Sequence, residues 1–160
     1  MPRVPIVDAA VKWIHPLTGE DWLLLIRNAL YVPSMKHNLL PPFLLREAGI
    51  EVNDVPKIHL TDPTNKDHSI YFRGEDVRIP LSLHGIFSYF PTSKPTELEV
   101  DECEKVLTLT PHGKWNPHTE VYARNKDAML DHEGNVIEKK DRIKILFSDI
   151  EADDDLAIAN

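Results

Sequence analysis

Cysteine is almost missing: Cys103 is the single one among 160 residues. One thiol excludes an intramolecular disulfide and any zinc site built on several thiolates, and it fits a reducing, intracellular, cytoplasmic setting. Glycine is scarce as well, with 6 residues against 13 prolines. Each proline fixes φ and removes a backbone donor, so short strands and turns are favoured over long helices. Positive charge is in deficit, 18 Lys and Arg against 26 Asp and Glu, for a formal net charge of -8. Such a chain is repelled by phosphate backbones and lacks the counterion release that drives nucleic-acid affinity, so direct nucleic-acid binding is not expected. Long apolar runs are absent too: WLLLI at 22–26 is far short of a membrane span, and MPRVPIVDAAVKW lacks the apolar centre of a signal peptide.

The catalytic and cofactor fingerprints are equally sparse. There is no G-x-x-x-x-G-K-[ST] loop, G-x-G-x-x-G turn, G-x-S-x-G elbow, H-E-x-x-H or C-x-x-C. Eight histidines stand at 15, 37, 59, 68, 84, 112, 118 and 132, none at the i, i+4 spacing that puts two imidazoles on one ion. They read as solvated surface residues. A site from His112, His118 and Cys103 is the only metal arrangement the sequence offers. Cys103 lies among Asp101, Glu102 and Glu104, which raise a thiol pKa, so it reads as a small hydrophobe on the inner face of a helix. No catalytic, cofactor-binding or metal residue is assigned.

What is present is a β pattern. In VPIVDAAVKWI, Val7, Ala9, Val11 and Trp13 share one face and Asp8 and Lys12 the other, which predicts a strand over 4–14 with one wet face. HPLTGED is a turn. WLLLIRNALYVP is apolar on both faces at first and predicts a central strand over 22–33. Asn38 is a candidate cap, Pro41 and Pro42 suit a first helical turn, Phe43, Leu44, Leu45 and Ala48 form an apolar face, and Gly49 suits a left-handed end. Further short strands are predicted at 50–60, 69–72, 77–83 and 85–90, with Pro80 marking an edge or bulge. Tyr71, Phe72, Phe87, Tyr89 and Phe90 are expected to pack across strands.

Character changes at 91–107. Thr96 and Glu99 form a T-x-x-E capping box, and Leu98, Cys103, Val106 and Leu107 recur at helical spacing. Residues 119–131 and 138–150 read as weakly helical, with HEGN between them as a turn and an acidic end beyond. The expected fold class is therefore mainly β with an α-leaning C-terminal tail, divided into a β-rich part at 1–91 and a helical or irregular spacer at 92–160.

NALYVPSMKHNLL resembles the N-x-L-Y-V-P-x-x-x-x-N-L-L segment of copia-type retrotransposon Gag-Pol polyproteins. The match runs over Asn28, Leu30, Tyr31, Val32, Pro33, Asn38, Leu39 and Leu40. The wider run from VPIVDAAVKW through RIPLSLHGIFSYFPTSKPT and WNPH is similar to copia-like elements of diatoms and other marine protists. The resemblance implies the C-terminal part of a retropepsin-like aspartic protease, a partial barrel with one closing helix, followed by a spacer toward the integrase. In that family the catalytic D-[ST]-G lies upstream of the motif. Here no D-S-G or D-T-G occurs, and Asp8 sits in IVDAAV, in mid-strand, with alanines where the hydroxyl residue and glycine would be. A retropepsin dyad needs one such Asp from each of two subunits. The resemblance thus implies a protease-derived fragment, inactive alone. The alternative is a non-catalytic interaction or dimerisation module that uses an open β edge within 4–33. The partner is then another segment of the same polyprotein or a second copy, with no nucleic acid, membrane or cofactor.

Overall fold

The computed structural model describes residues 3–111, 116, 120 and 130–138. Two compact units are present, 1–115 and 116–160. The first is mainly β with two short helices. Its elements are β1 (Ile6–Ile14), β2 (Asp21–Leu30), α1 (Pro42–Glu47), β3 (Glu51–Asn53), β4 (Ser69–Phe72), β5 (Val77–Pro80), β6 (Ser82–His84), β7 (Phe87–Tyr89), α2 (Glu97–Glu102) and β8 (Val106–Thr108). They form open sheets of order β1-β2-β8 and β3-β4-β5, and a two-stranded hairpin β6-β7.

β1 keeps the expected alternation, with Trp13 buried, Val11 packed on the core and Asp8 exposed. β2 is central, antiparallel to β1 and parallel to β8. Both its faces are covered at the start: Leu23 and Leu24 are buried side by side in sequence, which a strand achieves only between two layers. Leu24, Trp13 and Leu107 meet Ile70, Phe72, Val77 and Ile79 of the second sheet and Leu45 of α1 in one core.

α1 begins on Pro41 and Pro42, where missing N–H groups cost nothing. Its end is a Schellman turn: Gly49, at φ +77°, donates to the Arg46 carbonyl at 3.0 Å, and Ile50 N–H donates to the Leu45 carbonyl at 3.0 Å. Ile50 and Leu45 are both buried in the core, the apolar contact that accompanies this motif. Asn38 does not cap the helix. The cap position is Pro41 and no side chain bonds there.

Several expectations need correction. The strand over 50–60 shrinks to Glu51–Asn53, because Pro56 opens a 3-10 turn at Lys57–His59. The predicted strand 77–83 is two strands, with Leu81 between them donating its N–H to the His68 carbonyl at 2.8 Å. Pro80 does lie on an edge strand. The helical reading of 96–107 holds only to Glu102. Cys103 ends the helix, Leu98 is exposed, and Val106 and Leu107 are strand residues beside β2. The segment 93–109 therefore packs with the β-rich part, and the compact units divide after Trp115 and not near residue 91. Phe72 packs in the core as expected, but Phe87 and Tyr89 are exposed.

In the second unit, Leu130 and Val136 bridge around the expected HEGN turn. The Asp131 carboxylate accepts from Glu133 N–H at 2.9 Å and Asn135 N–H at 2.8 Å. The amide of Asn135 is the main reason this carboxyl is held below its usual range. His112, His118 and most of the two helices expected at 119–131 and 138–150 lie outside the described residues. Among the described residues no helix is long and apolar enough to cross a membrane.

Candidate functional site

The outer edge of β1 combines exposed backbone with charged and apolar side chains. Its register with β2 pairs Trp13 with Trp22, Val11 with Leu24 and Ala9 with Ile26. On the other side, Lys12 N–H donates to the Ser93 carbonyl at 2.8 Å and Ser93 N–H donates to the Lys12 carbonyl at 2.9 Å. In an antiparallel ladder both backbone groups of a residue point the same way and the direction alternates. The N–H and C=O of Ile6, Asp8 and Ala10 therefore point outward with those of Lys12. Continuing the Lys12–Ser93 pairing would set Pro95 against Ala10. Proline has no N–H to donate, so the chain turns away into α2, and among the described residues no strand pairs with the edge from Ala10 to Ile6.

The closed end of this edge is locked by side chains. Thr96 Oγ1 accepts from Glu99 N–H at 3.2 Å, and Glu99 Oε2 accepts from Thr96 N–H at 2.8 Å, the expected capping box. The other oxygen of Glu99 takes the Lys12 ammonium at 2.6 Å, with Asp21 at 4.0 Å. The Glu99 hydrogen bond raises the Lys12 pKa above its ordinary value, and the same bond holds the Glu99 carboxyl below 4.5. A carboxyl lowered on folding contributes stability above its unfolded pKa, which is lost as pH falls through the folded value. Intrinsic-rate-corrected amide exchange at Lys12 and Ser93 should thus stay slow from pH 7 to 4.5 and quicken only below that. Glu99→Gln keeps the capping box but loses the ion pair, and should quicken both amides at pH 7. Equal exchange in the variant and the parent would remove this role.

At the open end β2 carries a bulge. Val7 faces Ala29 and Ala9 faces Ile26, so Arg27 and Asn28 together oppose Asp8. Asn28 has φ +55°, a left-handed conformation that asparagine tolerates better than most residues. Its N–H donates to Asp8 Oδ1 at 3.2 Å, the Arg27 guanidinium reaches Asp8 Oδ2 at 3.4 Å, and Arg27 N–H donates to buried Thr110 Oγ1 at 3.1 Å. Asp8 is a wet, mid-strand carboxylate engaged with the bulge. Leu30 and Tyr31, from the motif that carries the resemblance, are exposed at this end, Leu39 is exposed in the segment before α1, and Leu40 packs on the core.

Elsewhere the chemistry is dispersed. No group of three metal-ligating side chains occurs among the described residues. His68 corrects the expectation of a surface residue: it is buried, at φ +51°, with Nε2 2.8 Å from Ser88 Oγ, and burial lowers its pKa. Cys103 Sγ, half-buried, lies 3.3 Å from the Lys105 carbonyl oxygen. A hollow of about 230 Å³ between α2 and the β1–β2 sheet is lined by Lys12, Trp22, Leu98, Glu99 and Cys103. That is below the roughly 300–1,000 Å³ of small-molecule sites.

The strand, its wet face and the capping box are legible in the sequence, whereas the partners Ser93, Pro95, Arg27 and Thr110 emerge only in the fold. Pro95, just before the capping box, was the available signal for where edge pairing stops. No family model matches the chain, and neither a curated protein nor a solved structure does.

Proposed function

We propose that the chain is a segment of a copia-type retrotransposon polyprotein, cytoplasmic, that works by strand pairing along β1 and cleaves no peptide by itself. The order strand, turn, bulged central strand, turn and short glycine-ended helix supports a derivation from the closing part of a retropepsin-like barrel, with α2 and the following residues as the start of a spacer. The motif residues have local reasons to be where they are: Asn28 supplies the bulge's left-handed residue, and Val32 accepts the Met35 N–H at 3.0 Å in the turn after β2. In this reading, strands that precede β1 in the parent protease are what its outer edge would meet. A second copy or another segment of the polyprotein is the partner that pairs with this edge.

The observation that carries the reading is the outward backbone of Ile6, Asp8 and Ala10, stopped at Lys12 by Pro95. Main-chain pairing at such an edge gives affinity with little demand on side chains. Sedimentation velocity of the full chain tests it. Association should strengthen with concentration, and Ala10→Pro should weaken the association constant by about tenfold or more. The Ala10 N–H points away from β2, so the proline removes an outward donor and leaves the internal ladder intact. Equal association of variant and parent contradicts the reading, as does pepstatin-sensitive peptide cleavage by these 160 residues.

A further inference from the structure

The β6–β7 hairpin stands apart from that edge, and its register puts Phe87 and Tyr89 on one face, with Ser82 and His84, and Leu83 on the other, with Ser88. All six of its strand residues are exposed. Ile86 is 89% exposed, Phe87 69%, Tyr89 46% and Leu83 38%. An isolated two-stranded hairpin is marginal in water. This one is fixed at its base by Leu81 N–H on the His68 carbonyl and by the Ser88–His68 contact. Its turn is regular as well: Gly85 at φ +61° opens the two-residue loop that joins His84 to Phe87. The fold therefore holds a set of large apolar side chains in water when its own core lies elsewhere.

Charge selects what covers them. Residues 79–93 carry no Asp, Glu, Lys or Arg, the longest such stretch in a chain of net charge -8. Two copies of an acidic chain repel one another at most other contacts. At this hairpin they meet without like-charge cost, and the face that carries Phe87 and Tyr89 can meet its own copy about a two-fold axis. We propose that the β6–β7 hairpin is a second association surface, covered by the same hairpin of a second copy and independent of β1. Phe87 and Tyr89 on their shared face, with Ile86 at the turn, offer at these exposures on the order of 400 Å² per copy, against about 800 Å² in a standard interface. The association is therefore weak and visible only at high protein concentration.

The test uses the full chain carrying Ala10→Pro, so that pairing through β1 is blocked. This variant should retain weak, concentration-dependent dimerisation, and adding Ile86→Ser and Phe87→Ser should weaken it by about tenfold or more while leaving the thermal melt in place. Both serines replace exposed side chains, so an unaltered melt is the control for folding. A second readout needs no variant. In the hairpin the His84–Phe87 pair closes the loop, so the N–H groups of Leu83 and Ser88 point outward. Their exchange should slow as the concentration of the unmutated chain rises. Indistinguishable sedimentation with and without the serines overturns the proposal. So does binding of the Ala10→Pro chain to neutral phosphatidylcholine vesicles in place of self-association, which would make the hairpin a lipid contact. Loss of association in Ala10→Pro alone would sink the hairpin surface while leaving the β1 reading standing.

Discussion

Leu24→Ala is expected to destabilise the chain by about 2–5 kcal/mol, the range for leucines truncated in a closed core. Leu24 is fully buried at the centre of β2, opposite Val11 on one side and Leu107 on the other. Ordered strands flank it on both sides, so the space left by the missing methyls cannot be filled by a loop moving in. Total stability of a domain this size is about 5–15 kcal/mol, so this one change removes a large part of it. Urea unfolding at constant slope is the measurement, with Leu17→Ala as the control, since Leu17 is 90% exposed in the β1–β2 turn. A loss below about 1 kcal/mol for Leu24→Ala would mean that β2 is not the centre of the core.

Asn28→Val carries the next largest effect. At φ +55° a β-branched side chain meets the steric cost of the left-handed region, and a strained non-glycine residue costs about 1–3 kcal/mol. Asn28→Gly has no such cost and should retain most of the parent stability. The pair of variants separates conformation from contact. If valine and glycine destabilise equally, the bulge is held by the asparagine side chain and not by its backbone. The valine variant should also loosen Asp8, whose carboxylate accepts the Asn28 N–H, and so alter the end of β1 where an incoming strand would pair.

The parts of the fold that were legible in sequence are those fixed by near neighbours. The alternation through Val7, Ala9, Val11 and Trp13, the proline start and Gly49 end of α1, the Thr96–Glu99 box and the 69–72 strand each have a local physical cause. What escaped was decided by distant residues. β8 has three residues, too few for a period of two to be told from a helix, and it becomes a strand because Leu23 and Leu25 offer it a parallel edge. His68 is buried by the strands around it, which nothing in KDHSI announces. Phe87 and Tyr89 alternate as strand residues should, but alternation does not say whether a second layer lies over them. Asp8 was readable as a wet carboxylate, whereas its hold on Asn28 needed the bulge across the ladder. The open edge itself was legible only as an expectation, until the Ser93 pairing and Pro95 fixed where it begins.

The most direct test of the central claim is residue-resolved amide exchange of the unmutated chain at low and high concentration. Strand pairing along β1 predicts that the outward amides of Ile6, Asp8 and Ala10 slow together as concentration rises. The inward amides of Val7, Ala9 and Val11, already in the ladder with β2, should change little. Slowing of the two sets alike would report general stabilisation of the sheet. No slowing at Ile6, Asp8 and Ala10, at concentrations where the chain is associated, would contradict the account.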